Sequence, residues 1–79
     1  MTAKAFVLIE TAVGKSRAVL DLICRLPGVK SVDTVTGPYD IIAVVEADEL
    51  DDIGELITGK IHPVAGINRT VTCLVIKAS

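Results

Sequence analysis

The chain alternates between two kinds of apolar pattern. Ala5-Phe6-Val7-Leu8-Ile9 and Ile41-Ile42-Ala43-Val44-Val45 are unbroken apolar runs of strand length, so both faces of each strand require cover. Two other stretches show helical spacing. Between Lys15 and Leu26, Val19, Leu22, Ile23 and Leu26 fall at i, i+3, i+4 and i+7, with Lys15, Arg17, Asp21 and Arg25 turned away. Pro27-Gly28 ends this helix, because proline disfavours a helical residue before it and glycine suits the exit. After Asp48, a suitable N-cap, Leu50, Ile53, Leu56, Ile57 and Ile61 trace a second buried stripe. The acids Glu49, Asp51 and Asp52 sit where the helix dipole favours them, and Gly59 and His62-Pro63 mark a frayed end.

The remaining runs complete the pattern. Val29 to Thr36 is a β-branched strand, and Gly37-Pro38 is strong turn punctuation leading into a strand from Asp40 to Ala47. From Ile67 to Lys77, Val71, Cys73 and Val75 alternate with Thr70, Thr72, Leu74 and Ile76. The predicted order is βαββαβ, with Gly28-Val29 following the first helix much as Gly66-Ile67 follows the second. Two interleaved split βαβ units give an α+β, ferredoxin-like sandwich with both helices on one sheet face. The other face is then apolar and uncovered. A second copy of the same sheet, related by a two-fold axis, is its expected cover, giving a homodimer with an α/β barrel between the sheets.

Composition sharpens this expectation. A chain of 79 residues makes one domain, and 51% of it is hydrophobic while only 3% is aromatic. So small a domain buries roughly 60–65% of its unfolded surface, too little to hide that much aliphatic material alone. The net charge is −2 and no run of Lys or Arg exceeds one residue, which argues against direct nucleic-acid binding. There is no signal-peptide layout and no apolar run of membrane-spanning length, so a cytoplasmic protein without membrane contact is expected. Cys24 and Cys73 form no metal-type spacing and read as buried, reduced thiols.

Catalytic chemistry is nearly absent. His62 is the sole histidine and precedes a proline, where a solvated or capping role is the ordinary one. One His and two separated Cys make no metal site, and no cofactor motif appears. Gly14-Lys15-Ser16 resembles the tail of a P-loop without its upstream glycine, and reads as a helix start. The polar groups able to converge are Tyr39 and Asp40, expected at the hairpin tip, and the strand threonines, Thr70 and Thr72 among them. Asp40 alone could equally be a turn-stabilising carboxylate, and the threonines ordinary strand formers.

Pro27-Gly28-Val29, then Gly37-Pro38-Tyr39-Asp40, then Gly66-Ile67 with Thr70 and Thr72 resemble the effector-binding domain of Lrp/AsnC-type transcription regulators, the RAM domain. The resemblance runs from about Ala5 to Ile76. It implies face-to-face dimers, rings of dimers, and a small effector, commonly an amino acid, in a cleft where dimers meet. Mapped onto this chain, the cleft would be lined by Gly37, Tyr39, Asp40, Thr70 and Thr72. Members usually carry an N-terminal helix-turn-helix, whereas this chain opens on its first strand, so the implied protein is a stand-alone effector module. It would act by ligand-linked assembly or by joining full-length regulators. The alternatives are a dimeric α/β-barrel enzyme of the small monooxygenase or isomerase type, for which Phe6 is almost the sole lining group, and a ligand-free assembly protein.

Overall fold

The computed structural model describes residues 2–77. The elements are β1 (Ala3–Thr11), α1 (Ser16–Ile23), β2 (Val29–Thr34), β3 (Ile41–Ala47), α2 (Leu50–Leu56) and β4 (Ile67–Leu74). The four strands form one antiparallel sheet in the order β2-β3-β1-β4, as a ferredoxin-like βαββαβ chain requires. Register then assigns every strand residue to a face, because strand side chains alternate. Ala5, Val7 and Ile9 lie opposite Val45, Ala43 and Ile41, and all six are fully buried beneath the helices. Val19 and Ile23 of α1, with Ile53 and Leu56 of α2, close the core from above. The intervening residues point the other way. Phe6 lies between Val44 and Cys73, and Leu8 between Ile42 and Val71, on a face that none of the described elements covers. Phe6 is 38% exposed there.

At the base of the sheet the first and last strands are neighbours. Ala5 pairs with Leu74, and the Val75 N–H donates to the Lys4 carbonyl at 2.9 Å. At the other end, Gly66 leads into β4 with φ +100. A Cβ on it would come 3.0 Å from the Lys15 Cβ and 3.2 Å from the Val19 Cγ2, while its carbonyl accepts the Ala12 N–H at 2.8 Å. Glycine here lets α1 dock directly on the chain leaving α2.

Several boundaries differ from the sequence reading. Helix α1 ends at Ile23 rather than Leu26, and residues 24–26 continue as a turn closed by Leu26 N–H to Ile23 O at 3.0 Å. Leu22 is 51% exposed, and Leu20 packs on the core instead. The N-cap of α2 is Glu49, in extended conformation and without a side-chain capping bond, rather than Asp48; Asp51 and Asp52 do occupy the first turn. The predicted fraying after α2 is instead a π-helical turn over Ile57–Ile61, closed by His62 N–H to Ile57 O at 2.8 Å. It keeps Ile57 and Ile61 buried while passing through Gly59. Strands β2 and β4 stop at Thr34 and Leu74, short of the predicted Thr36 and Lys77.

Candidate functional site

The candidate residues cluster around the end of β1, where the sheet stops. The β2–β3 connection is closed by Val35 N–H to Asp40 O at 2.9 Å, with Gly37 at φ +124 on its exposed tip. Asp40 is not at that tip, contrary to the sequence reading. Its N–H donates to Ile9 O at 2.9 Å, and its Oδ2 accepts the Thr11 N–H at 2.8 Å. The cause is local. The β1–β3 ladder ends at the Ile9–Ile41 pair, and the β1–β4 register slips between Glu10 and Thr11. The buried Thr11 would otherwise present an unpaired N–H, and a carboxylate answers it with a charge-assisted bond. Among the described residues no hydrogen bond reaches the second carboxylate oxygen, Oδ1.

Tyr39 turns toward β4. Arg69 Nη2 donates to the Tyr39 hydroxyl at 3.5 Å, and the guanidinium lies 5.6 Å from the ring centroid. Arg69 also faces Glu10 across the β1–β4 pair, with 3.9 Å between Nη2 and Oε2. Sequence reasoning singled out neither Arg69 nor a specific bond for His62. The signal for Arg69 was present in the β4 alternation, which sets it on the face of Val71 and Cys73, opposite Glu10.

Thr70 and Thr72 lie on the opposite, helix-side face of β4, across from Ile9 and Val7. Thr70 stays near the cluster through Ile9, and its hydroxyl is hydrogen-bonded to the His62 ring. His62 is therefore a partner of β4 rather than simply a solvated helix end. Thr72 is not brought to the hairpin. It lines an open groove of about 730 Å³ between α2 and β4, with Leu50, Ile53, Ile57, Thr58 and Leu74. Gly37, Tyr39 and Asp40 thus form one group, Thr70 borders it, and Thr72 stands apart.

Two further expectations are corrected by burial. Both cysteines are exposed: Cys24 lies just beyond α1, donating its thiol to Asp21 O at 3.3 Å, and Cys73 lies on the uncovered sheet face. Phe6, offered as a lining group for an enzyme cavity between sheet and helices, points instead to the uncovered face, while the helix side of the sheet is filled by the core. No helix among the described residues is long and apolar enough to cross a membrane.

Comparison with known proteins agrees with this architecture. A Thermus thermophilus protein of known structure shares 35% identity and a TM-score of 0.93, over 98% of this chain and 96% of that one. An uncharacterized helix-turn-helix-type transcriptional regulator of Pyrococcus horikoshii is 36% identical over 56 residues, 71% of this chain but 37% of the regulator. The chain therefore spans little more than a third of the length of such curated relatives. A homocitrate synthase of Sulfurisphaera tokodaii is 38% identical over 60 residues, 76% of this chain and 13% of the enzyme. The fold is also that of a Neisseria meningitidis transcriptional regulator solved in complex with L-Met, at 16% identity and a TM-score of 0.84, over 95% of this chain and 50% of that one. Residues 4–79 match the model of the Lrp/AsnC ligand binding domain, so this chain, sandwich and hairpin together, belongs to the Lrp/AsnC ligand-binding domain family.

Proposed function

We propose that the chain is an amino-acid-binding regulatory module of the cytoplasm that works as a homodimer, its uncovered sheet face packed on that of a second copy. It carries the ligand response to larger partners, full-length Lrp/AsnC regulators among them, by changing assembly. The observation that carries the amino-acid reading is the Asp40 carboxylate. It is fixed to the sheet end through the Thr11 N–H, with Oδ1 left to accept a hydrogen bond from an ammonium group. That one Neisseria relative of this fold was solved with L-Met supports the choice of ligand class. The dimer reading is supported by Phe6, Leu8, Ile42, Val44 and Val71, apolar and gathered on one face. Gly37, Tyr39 and Asp40 form the ligand site, with Thr70 at its border.

The test is a thermal-shift screen of the twenty amino acids followed by calorimetry on any that respond. A ligand at a hundredfold its dissociation constant adds about 2.7 kcal/mol per site. In a domain this small that raises the melting point by roughly 10–20 °C. A flat profile across all twenty overturns the amino-acid reading, and a monomeric mass at micromolar concentration overturns the dimer.

A further inference from the structure

An amino acid presents an anion as well as a cation, and Asp40 answers the cation alone. The hydroxyls of the two candidate threonines are not turned to that anion: Thr70 is bonded to His62, and Thr72 lines the groove beside α2. Backbone N–H groups of the tip remain, but a cation from β4 also reaches the hairpin. We propose that Arg69 is the carboxylate-binding residue of this site. The inference rests on the amino-acid reading above and deepens it.

Three observations support the assignment. Arg69 starts on β4 and Asp40 adjoins β3, on either side of β1, so their backbones stand about two strand spacings, or about 10 Å, apart. The arginine side chain spans that gap and sets its guanidinium against the ring and hydroxyl of Tyr39, the residue next to Asp40. The cation–π contact and the bond to the hydroxyl restrain the side chain near the hairpin, so less freedom is lost when it captures a ligand. The guanidinium is also underused. Both contacts, at 3.5 Å to Tyr39 and 3.9 Å to Glu10, fall on Nη2, and the side chain is 61% exposed. Nη1 and Nε make no hydrogen bond among the described residues, so donors remain for an incoming anion, and a bidentate grip would share Nη2 with its present contacts. Glu10 acts as a placeholder anion, at a distance a ligand carboxylate can better. The site thus reads the α-carboxylate through Arg69 and the α-ammonium through Asp40, and selects a zwitterion over an amine or an acid alone.

The experiment compares, by calorimetry, the amino acid that gives the largest thermal shift with its α-carboxamide, which keeps the ammonium and side chain but lacks the anion. Wild type should prefer the acid by about tenfold to a hundredfold, the scale of a charge-assisted pair. Arg69→Gln should abolish that preference by weakening the acid alone, and Arg69→Lys should restore part of it. Melting point and oligomeric mass should stay at wild-type values in both variants. An equal loss for acid and amide in Arg69→Gln means that the arginine only holds Tyr39, and overturns the assignment. So does a preference for the acid that survives the substitution. If wild type binds none of the twenty amino acids, the amino-acid reading falls and this inference falls with it.

Discussion

Replacing Asp40 separates its two proposed duties. Its Oδ2 accepts the N–H of Thr11, a residue only 8% exposed at the point where β1 leaves both ladders. Asp40→Ala leaves that N–H with neither a protein acceptor nor easy access to water. An orphaned buried donor costs about 1–3 kcal/mol. At about 4–8 °C per kcal/mol for a domain of this size, a loss of about 2 kcal/mol lowers the melting point by roughly 8–16 °C. Asp40→Asn keeps an acceptor of the same shape and forfeits only the charge assistance, about 1 kcal/mol or roughly 4–8 °C. Ligand binding should rank differently. Both variants remove the anion, so both should lose amino-acid affinity to a similar extent, by about tenfold or more. Urea denaturation at one fixed protein concentration measures the stability series, because an associating chain gains stability with concentration. Amide hydrogen exchange at Thr11 reports the bond itself and should accelerate most in the alanine variant. An Asp40→Ala protein within 0.5 kcal/mol of wild type, with Thr11 exchange unchanged, would refute the account of the hydrogen bond. Stability lost with amino-acid affinity intact would leave Asp40 a turn residue and nothing more.

Other substitutions probe the rest of the molecule. Leu8→Asp places a charge at the centre of the uncovered face, between Ile42 and Val71, and should give the light-scattering mass of one chain rather than two while circular dichroism keeps the native spectrum. Gly66→Ala forces a Cβ within 3.0 Å of Lys15 at φ +100 and should cost about 1–3 kcal/mol in urea. Gly14→Ala, at φ +77 in open space, should cost only about 1 kcal/mol, the strain alone. Gly54→Ala fills open space in α2 and should raise the urea midpoint by the equivalent of about 0.5–1 kcal/mol.

What could be read from the sequence followed from pattern period. The doubly apolar runs at residues 5–9 and 41–45 became the two central strands, and Val19, Ile23, Ile53, Leu56, Ile57 and Ile61 all reached the core. Leu22 did not, because Leu20 and Leu22 lie on opposite margins of the same stripe. Which margin a sheet covers depends on where the helix sits, not on its periodicity. The π-helical turn was hidden as well: Gly59 signals weakness, and Ile57 and Ile61, at i and i+4, share a face in an ordinary helix as they do in the widened turn. At the site, Tyr39 and Asp40 were legible as a polar hairpin on an aliphatic chain. The anchoring of Asp40 to Thr11 was not, since it arises from a register slip between strands distant in sequence. Arg69 was overlooked because the β4 alternation assigns it a face but not a partner. Its meaning comes from Tyr39, thirty residues away.

The pairing of Ala5 with Leu74, closed by the Val75–Lys4 bond, brings the start of β1 and the end of β4 to one corner of the molecule. From Lys4 to Glu10 along β1, that corner lies about 20 Å from the Tyr39–Arg69 group, at strand rise per residue. A chain extended or fused at either strand would leave from this corner and fold clear of the hairpin. Chains as unlike as the Pyrococcus regulator and the Sulfurisphaera synthase match this one over part of their length, and an attachment at this corner would leave the hairpin undisturbed. The same separation bears on the proposed signalling. A host hung on that stalk would start about 20 Å from the proposed ligand site, a distance that suits a response carried by the arrangement of neighbouring modules.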